Sequence, residues 1–213
     1  MLKKKISLAM IGCGTIANDH IRAFNYLGLK INHCASKLNS SKVYKFAKKY
    51  NISNVWKDPI ELARSSKNWD AIILCCPTKN MSNILDILID QKKPILVEKP
   101  VSIGTDYLKK FSSTCPKLVN VAFNRRYYNT VVRAKKFIEQ SKGQILCNVK
   151  LPESIKKNND KLNKFRNIFD NSVHGIDILR FLFGDLEIIN NTKIKLNNFD
   201  SSRIVLLKSK KNH

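Results

Sequence analysis

Along the first 123 residues, short apolar runs alternate with stretches in which apolar positions recur every three or four residues. A run closed by turn formers reads as a buried strand, and the three-to-four spacing as a helix lying on it. Strands are predicted on this basis at Lys5–Ile11, Ile31–Ala35, Asn54–Lys57, Asp70–Cys76, Pro94–Val97 and Leu118–Phe123. Helices are predicted over Thr15–Leu27, over Ser40–Tyr50, after Asp58-Pro59, from Pro77 through Asp90, and around Leu108. Asp58 suits an N-cap and Pro59 the first helical position, where no N–H is needed. Six strands joined by helical crossovers specify an α/β fold, a doubly wound parallel sheet of Rossmann type.

The pattern changes at Asn124. A helix is predicted at Asn129–Ser141, a strand at Gln144–Leu151, a polar loop at Ser154–Lys164 and a helix at Asn171–Phe183 stopped by Gly184. Strands at Glu187–Leu196 and Arg203–Lys208 follow. The chain thus divides into a Rossmann-type domain, 1–123, and a small α+β domain, 124–213. Apolar residues such as Ile145, Leu146, Ile188, Ile189, Ile204, Val205 and Leu206 on so few strands leave faces and edges that need cover. A second copy, or a separately encoded C-terminal part, is expected to pair there.

Composition adds limits. No apolar run approaches the ~18 residues of a membrane span. The basic start leads straight into a glycine turn, where a signal peptide would place a cleavage site. A cytoplasmic protein with no membrane partner is expected. The six cysteines show no C-x-x-C pair and no histidine at zinc spacing, so no metal site is expected and the thiols are taken as buried and reduced. The formal net charge of +23 is spread along the chain without a nucleic-acid-binding motif, so no specific nucleic-acid partner is expected. Such a field would still concentrate a phosphorylated ligand.

The chemistry begins where the first strand meets Gly12-Cys13-Gly14-Thr15-Ile16-Ala17. A glycine first permits the tight turn, a glycine third lets backbone approach a pyrophosphate, and a small residue sixth lets helix pack on strand. Gly12, Gly14, Thr15 and Ile16 are therefore candidate cofactor contacts, with free N–H groups and the positive helix end toward the phosphates. At the second strand's end, an acid would bond the ribose 2′-hydroxyl of NAD. This chain has Ser36 and Lys37 there, which suit the 2′-phosphate of NADP, so NADP is expected ahead of NAD. Cys76 and Pro77 after the fourth strand, and Glu98 and Lys99 after the fifth, complete the cofactor candidates.

The glycine turn, Glu98-Lys99-Pro100 and the run Asp170-x-x-x-His174-x-x-Asp177, in that order, make the chain similar to the glucose–fructose oxidoreductase/inositol dehydrogenase family (Gfo/Idh/MocA) over about residues 3 to 190. The resemblance implies an NAD(P)-dependent oxidoreductase acting on sugars, polyols or nucleotide-sugars. It also implies that 1–123 is the dinucleotide-binding domain and 124–213 a truncated domain for substrate binding and oligomerisation, because family members continue with further strands. Lys99 stands at a parallel strand's carboxyl end, where ligands bind, and is the candidate to take or relay the proton of a substrate hydroxyl, with Glu98 orienting it. Asp170, His174 and Asp177, four and three residues apart, share one helix face beside the apolar stripe Val173, Ile176, Leu179 and Phe183. His174 is the candidate acid/base, Asp170 its orienter or a hydroxyl binder, and Asp177 a structural residue. By the same resemblance Arg126 is a candidate contact for a substrate carboxylate or phosphate. The alternative is a non-catalytic, truncated relative that keeps only the dinucleotide site.

Overall fold

A computed structural model of the chain describes the backbone of residues 6–114, 117–151, 161–195 and 201–210, with side chains for all of these except 114, 161–171, 201 and 202. Two units are distinguished, Met1–Ala122 and Phe123–His213.

In the first unit β1 (Leu8–Ile11), β2 (Ile31–Ala35), β3 (Asn54–Trp56), β4 (Ala71–Leu74), β5 (Ile95–Val97) and β6 (Val119–Val121) form one sheet in the order β3-β2-β1-β4-β5-β6. All its pairings are parallel. The order reverses between β1 and β4, the switch point at which doubly wound sheets open a crevice. Side-chain alternation on the central strands explains the two layers. Ala9, Ile11, Ile72 and Leu74 enter one core with Leu62, Ala63, Met81, Leu85 and Leu88, which belong to α3 (Pro59–Arg64) and α4 (Thr78–Asp90). Leu8, Met10, Ile73 and Cys75 enter the other, with Ala17 and Ile21 of α1 (Thr15–Tyr26) and Val43, Phe46 and Ala47 of α2 (Lys42–Tyr50). Each buried aliphatic side chain contributes about 1.5–3 kcal/mol, more than a few-residue helix gains from its own propensity. The sheet therefore holds its helices in place.

Local signals act as expected. The Asp58 carboxylate accepts the Ile60 N–H at 2.7 Å, with Pro59 at the first helical position. The strand expected at Asp70–Cys76 is narrower, because Asp70 turns to bind Ser7 through both N–H and carboxylate and Cys75 begins the next loop. Cys75 and Cys76 do lie on opposite faces, one in each core. Lys5 of the first expected strand lies outside the described residues. The Leu108 helix is α5 (Thr105–Thr114).

The second unit holds a 3-10 turn at Asn124–Tyr127, α6 (Asn129–Gln140), α7 (Lys161–Phe183) and an antiparallel hairpin of β7 (Leu186–Lys195) and β8 (Ser201–Ser209). Three expectations are corrected. Gln144–Leu151 forms no strand: β7 and β8 pair with each other, and Leu151 lies against Gly175 of α7, where a Cβ would come within 2.3 Å of its Cδ2. The helix expected from Asn171 begins ten residues earlier, so Lys161–Lys164 is helical, while the first part of the expected loop and Leu196 lie outside the described residues. Finally, α7 buries polar residues beside its apolar stripe: Ser172, His174 and Asp177 are inside, Val173, Leu179 and Phe183 are half-buried, and Ile176 of the expected stripe is 53% exposed. Among the described residues, no helix is long and apolar enough to cross a membrane.

Candidate functional site

Four hydrogen bonds carry the ladder of the first unit's sheet one residue past its strands. Gly12 N–H donates to Ala35 O, Cys75 N–H to Ile11 O, Glu98 N–H to Leu74 O and Ala122 N–H to Val97 O, at 2.8–2.9 Å. The loops that follow β1, β4 and β5 thereby start in one row along the carboxyl edge, beside the end of β2. The expected cofactor residues of the first unit all lie on that edge.

Gly12 has φ +108, and a Cβ on it would lie 2.4 Å from the Cys75 carbonyl oxygen, so the loop after β1 is pressed directly onto the end of β4. Gly14 differs. It is the N-cap of α1, its conformation is extended, and a Cβ there would meet nothing within 4 Å. Gly14, Thr15 and Ile16 are exposed, and Ala17 is fully buried against the sheet. The Asn18 amide donates back to Gly14 O and Thr15 O at 3.1 and 3.0 Å, and its own oxygen accepts from Lys49 and from Tyr50 Oη. Open space in front of free helical N–H groups is where a dinucleotide's phosphates fit. Ser36 is half-buried after β2 and Lys37 is exposed beside it, with no carboxylate among Ala35, Ser36 and Lys37.

Thiols fill the base of the crevice. Cys13 Sγ donates to Ala35 O at 3.4 Å, and Cys75 Sγ to Gly12 O at 3.1 Å. The interaction of Cys13 with Cys34 pushes Cys13 up, with burial adding to it, and draws Cys34 down against the opposing effect of burial. Burial pushes Cys75 up, with the charge of Glu98 adding to it, and raises Cys76 to about 11. Cys13, Cys34, Cys75, Cys76 and Cys147 are free; Cys147 is exposed rather than buried, and Cys115 lies outside the described residues. No group of three His, Cys, Asp or Glu side chains among the described residues is arranged to hold a metal.

Lys99 is half-buried and its bond to Pro100 is cis. The Glu98 carboxylate turns one oxygen to the Lys99 N–H at 3.1 Å and the other to His20 Nε2 at 2.8 Å. His20 was not among the residues expected from sequence. Its partner is 78 positions away, and neither spacing nor composition signals the pairing.

In the second unit His174 is 6% exposed and meets the edge of the Phe123 ring, centroids 6.1 Å apart. Asp177, one turn on, pairs with Arg126 through Nε at 2.7 Å and through Nη2. That hydrogen bond, against the opposing effect of burial, raises Arg126 further above its ordinary value. The guanidinium also lies over the rings of Phe123 and Phe181 at 5.5 and 5.7 Å. This lining is what the inward-facing His174 and Asp177 of α7 meet. A substrate carboxylate or phosphate at Arg126 would have to share it with Asp177. The Asp170 side chain lies outside the described residues.

Residues 6–124 match the model of a family described as oxidoreductases with an NAD-binding Rossmann fold. Among curated relatives, the uncharacterized oxidoreductase YrbE of Bacillus subtilis is 24% identical over 222 residues, covering 96% of this chain and 64% of its own. Myo-inositol 2-dehydrogenase of Thermotoga maritima is 23% identical over 185 residues, covering 84% and 55%. The solved structure of myo-inositol dehydrogenase from Lactobacillus casei, in complex with NAD(H) and myo-inositol, superposes with a TM-score of 0.74 at 16% identity, over 96% of this chain and 64% of that one. At that identity the likeness is one of fold. The chain spans less than two thirds of the length of these relatives.

Proposed function

The chain belongs to the Gfo/Idh/MocA oxidoreductase family, whose NAD-binding Rossmann fold it carries, and on that footing we propose that it is a nicotinamide-dependent dehydrogenase or reductase of a sugar, polyol or nucleotide-sugar hydroxyl. The observation that carries this reading is the cradle at Gly14, a bare N-cap with open space before exposed helical N–H groups. The residues present fit a dinucleotide. Gly12, Gly14, Thr15 and Ile16 would hold the pyrophosphate, and Ser36 and Lys37 the adenosine ribose or its 2′-phosphate. Cys76, Pro77 and Glu98 continue the same edge. When bound, the nicotinamide cofactor accepts or supplies hydride.

The protein's own share is binding and proton handling. Lys99, at a strand end and half-buried, takes the proton from the substrate oxygen or returns it. His174, with Asp170, is assigned an acid/base role on the second unit, and its burial against Phe123 fixes the ring. Relatives named for inositol dehydrogenation favour a polyol as the first substrate to try. Titration with NAD and NADP, followed by turnover assays on myo-inositol, other polyols and UDP-sugars, tests the proposal. Cofactor binding with no turnover of any of these would leave the chain a dinucleotide-binding relative; no binding of either cofactor would overturn the reading.

A further inference from the structure

The Glu98 carboxylate is 12% exposed and His20 14%. A carboxylate so nearly enclosed needs hydrogen-bond donors, and it is an acceptor only. Two are in place, one on each oxygen: the His20 Nε2–H and the Lys99 backbone N–H. They come from different parts of the unit. His20 rides on α1, whose first turn carries the glycine loop and whose Ala17 and Ile21 are buried in the sheet. Glu98 continues β5, with its own N–H on Leu74 O. One side chain therefore ties the helix that begins at Gly14 to the backbone of the lysine.

We infer that His20 is a positioning residue for Lys99, acting through Glu98. It fixes one carboxylate oxygen so that the other is aimed at the Lys99 N–H, and the cofactor helix and the lysine are held as one piece. A nonpolar residue at position 20 would leave Glu98 short of a donor in a poorly hydrated place. The carboxylate would then turn toward other donors and release Lys99. The inference rests on the reading of Lys99 as the proton carrier, since only then does its placement matter to the reaction.

The test compares wild type, His20→Leu and His20→Gln by the rate at which an acetylating ester modifies Lys99, resolved by peptide mass spectrometry, without cofactor and with saturating NAD. Thermal melts establish that each variant is folded. His20→Gln keeps an amide N–H where Nε2 stands and should match wild type within about twofold. His20→Leu should shift Lys99 reactivity several-fold and lower kcat on myo-inositol by about ten- to a hundredfold, with a much smaller effect on KM for NAD. Should His20→Leu fail to fold, His20→Ala, which also removes the donor, carries the same comparison. A folded variant with wild-type Lys99 reactivity would overturn the inference. If the wild type neither binds NAD nor turns over, the proposed function fails, and reactivity in the cofactor-free chain still decides the role of His20.

Discussion

Cys75 and Gly12 meet twice at the carboxyl edge of the sheet: the Cys75 thiol donates to the Gly12 carbonyl at 3.1 Å, and a Cβ on Gly12 would come within 2.4 Å of the Cys75 carbonyl oxygen. Neither side can yield by turning a side chain. At φ +108 an alanine adds about 1–2 kcal/mol of backbone strain to about 1–3 kcal/mol of overpacking. Gly12→Ala should therefore lower the urea midpoint markedly. Gly14→Ala meets open space and should melt like wild type, yet bind NAD at least about tenfold more weakly, because its methyl group occupies the approach of the pyrophosphate. Urea melts and cofactor titrations on both variants check the pair.

Ser36 and Lys37 stand where an acid would bond the ribose of NAD. NADP should bind more tightly than NAD, and Ser36→Asp should reverse the order by repelling the 2′-phosphate. Titrations with both cofactors at two salt concentrations decide it. A wild-type preference for NAD would remove the proposed phosphate site.

Lys99→Met should leave cofactor affinity within about threefold and lower turnover by about 10²–10⁴-fold, the usual worth of a positioned acid/base. Steady-state kinetics on the polyol identified by screening measure the change. Full activity in the variant would return Lys99 to the solvated surface.

Asp177 is 8% exposed in its side chain, and Arg126 is 37% exposed. Breaking a fully buried pair costs about 3–5 kcal/mol. Here solvent reaches the guanidinium, so the expected loss for Asp177→Ala is smaller, about 1–3 kcal/mol. The double variant with Arg126→Met should recover part of it, since Met keeps the apolar contact with Phe123 and Phe181. Denaturant midpoints of the full cycle measure the coupling.

The Trp56 indole N–H donates to His33 Nδ1 at 3.2 Å, a bond that needs an unprotonated nitrogen. Burial lowers His33 below its ordinary 6.5, outweighing a backbone contact with Asn68. The unfolded chain therefore binds the extra proton first. Stability from this group is present above the unfolded value and is lost as pH falls below it, levelling once the folded His33 is also protonated. Urea midpoints taken from about pH 7.5 to about pH 5.5 should fall, and His33→Gln should flatten that limb.

The first unit was legible because its signals are local. Apolar runs that end at Gly12, Pro77 and Glu98 report strands and their carboxyl ends together, and the nucleotide loop follows from them. Pairings between distant residues were not. His20 meets Glu98, and Arg126 meets Asp177, through tertiary folding alone. The helix that carries Asp177 shows how pattern can mislead. Ile176 of its apolar stripe is exposed, while Asp177 goes inward to the Arg126 guanidinium and His174 to the Phe123 ring. Gln144–Leu151 had strand composition, yet it forms no strand, and Leu151 instead lies against Gly175 of α7.

The glycine loop hangs from β1, and Glu98 and Lys99 from the three-residue β5; both strands are paired on each side, but β1 lies two places from the sheet's margin and β5 one place from the margin at β6. Amides nearer a sheet's margin exchange through smaller, more frequent openings than those deeper inside it. The Gly12 end of this edge should therefore exchange more slowly than the Lys99 end when amide exchange is measured. On the proposed function, a dinucleotide would be gripped at the steadier end, and the end at Lys99 would retain room to settle around a substrate.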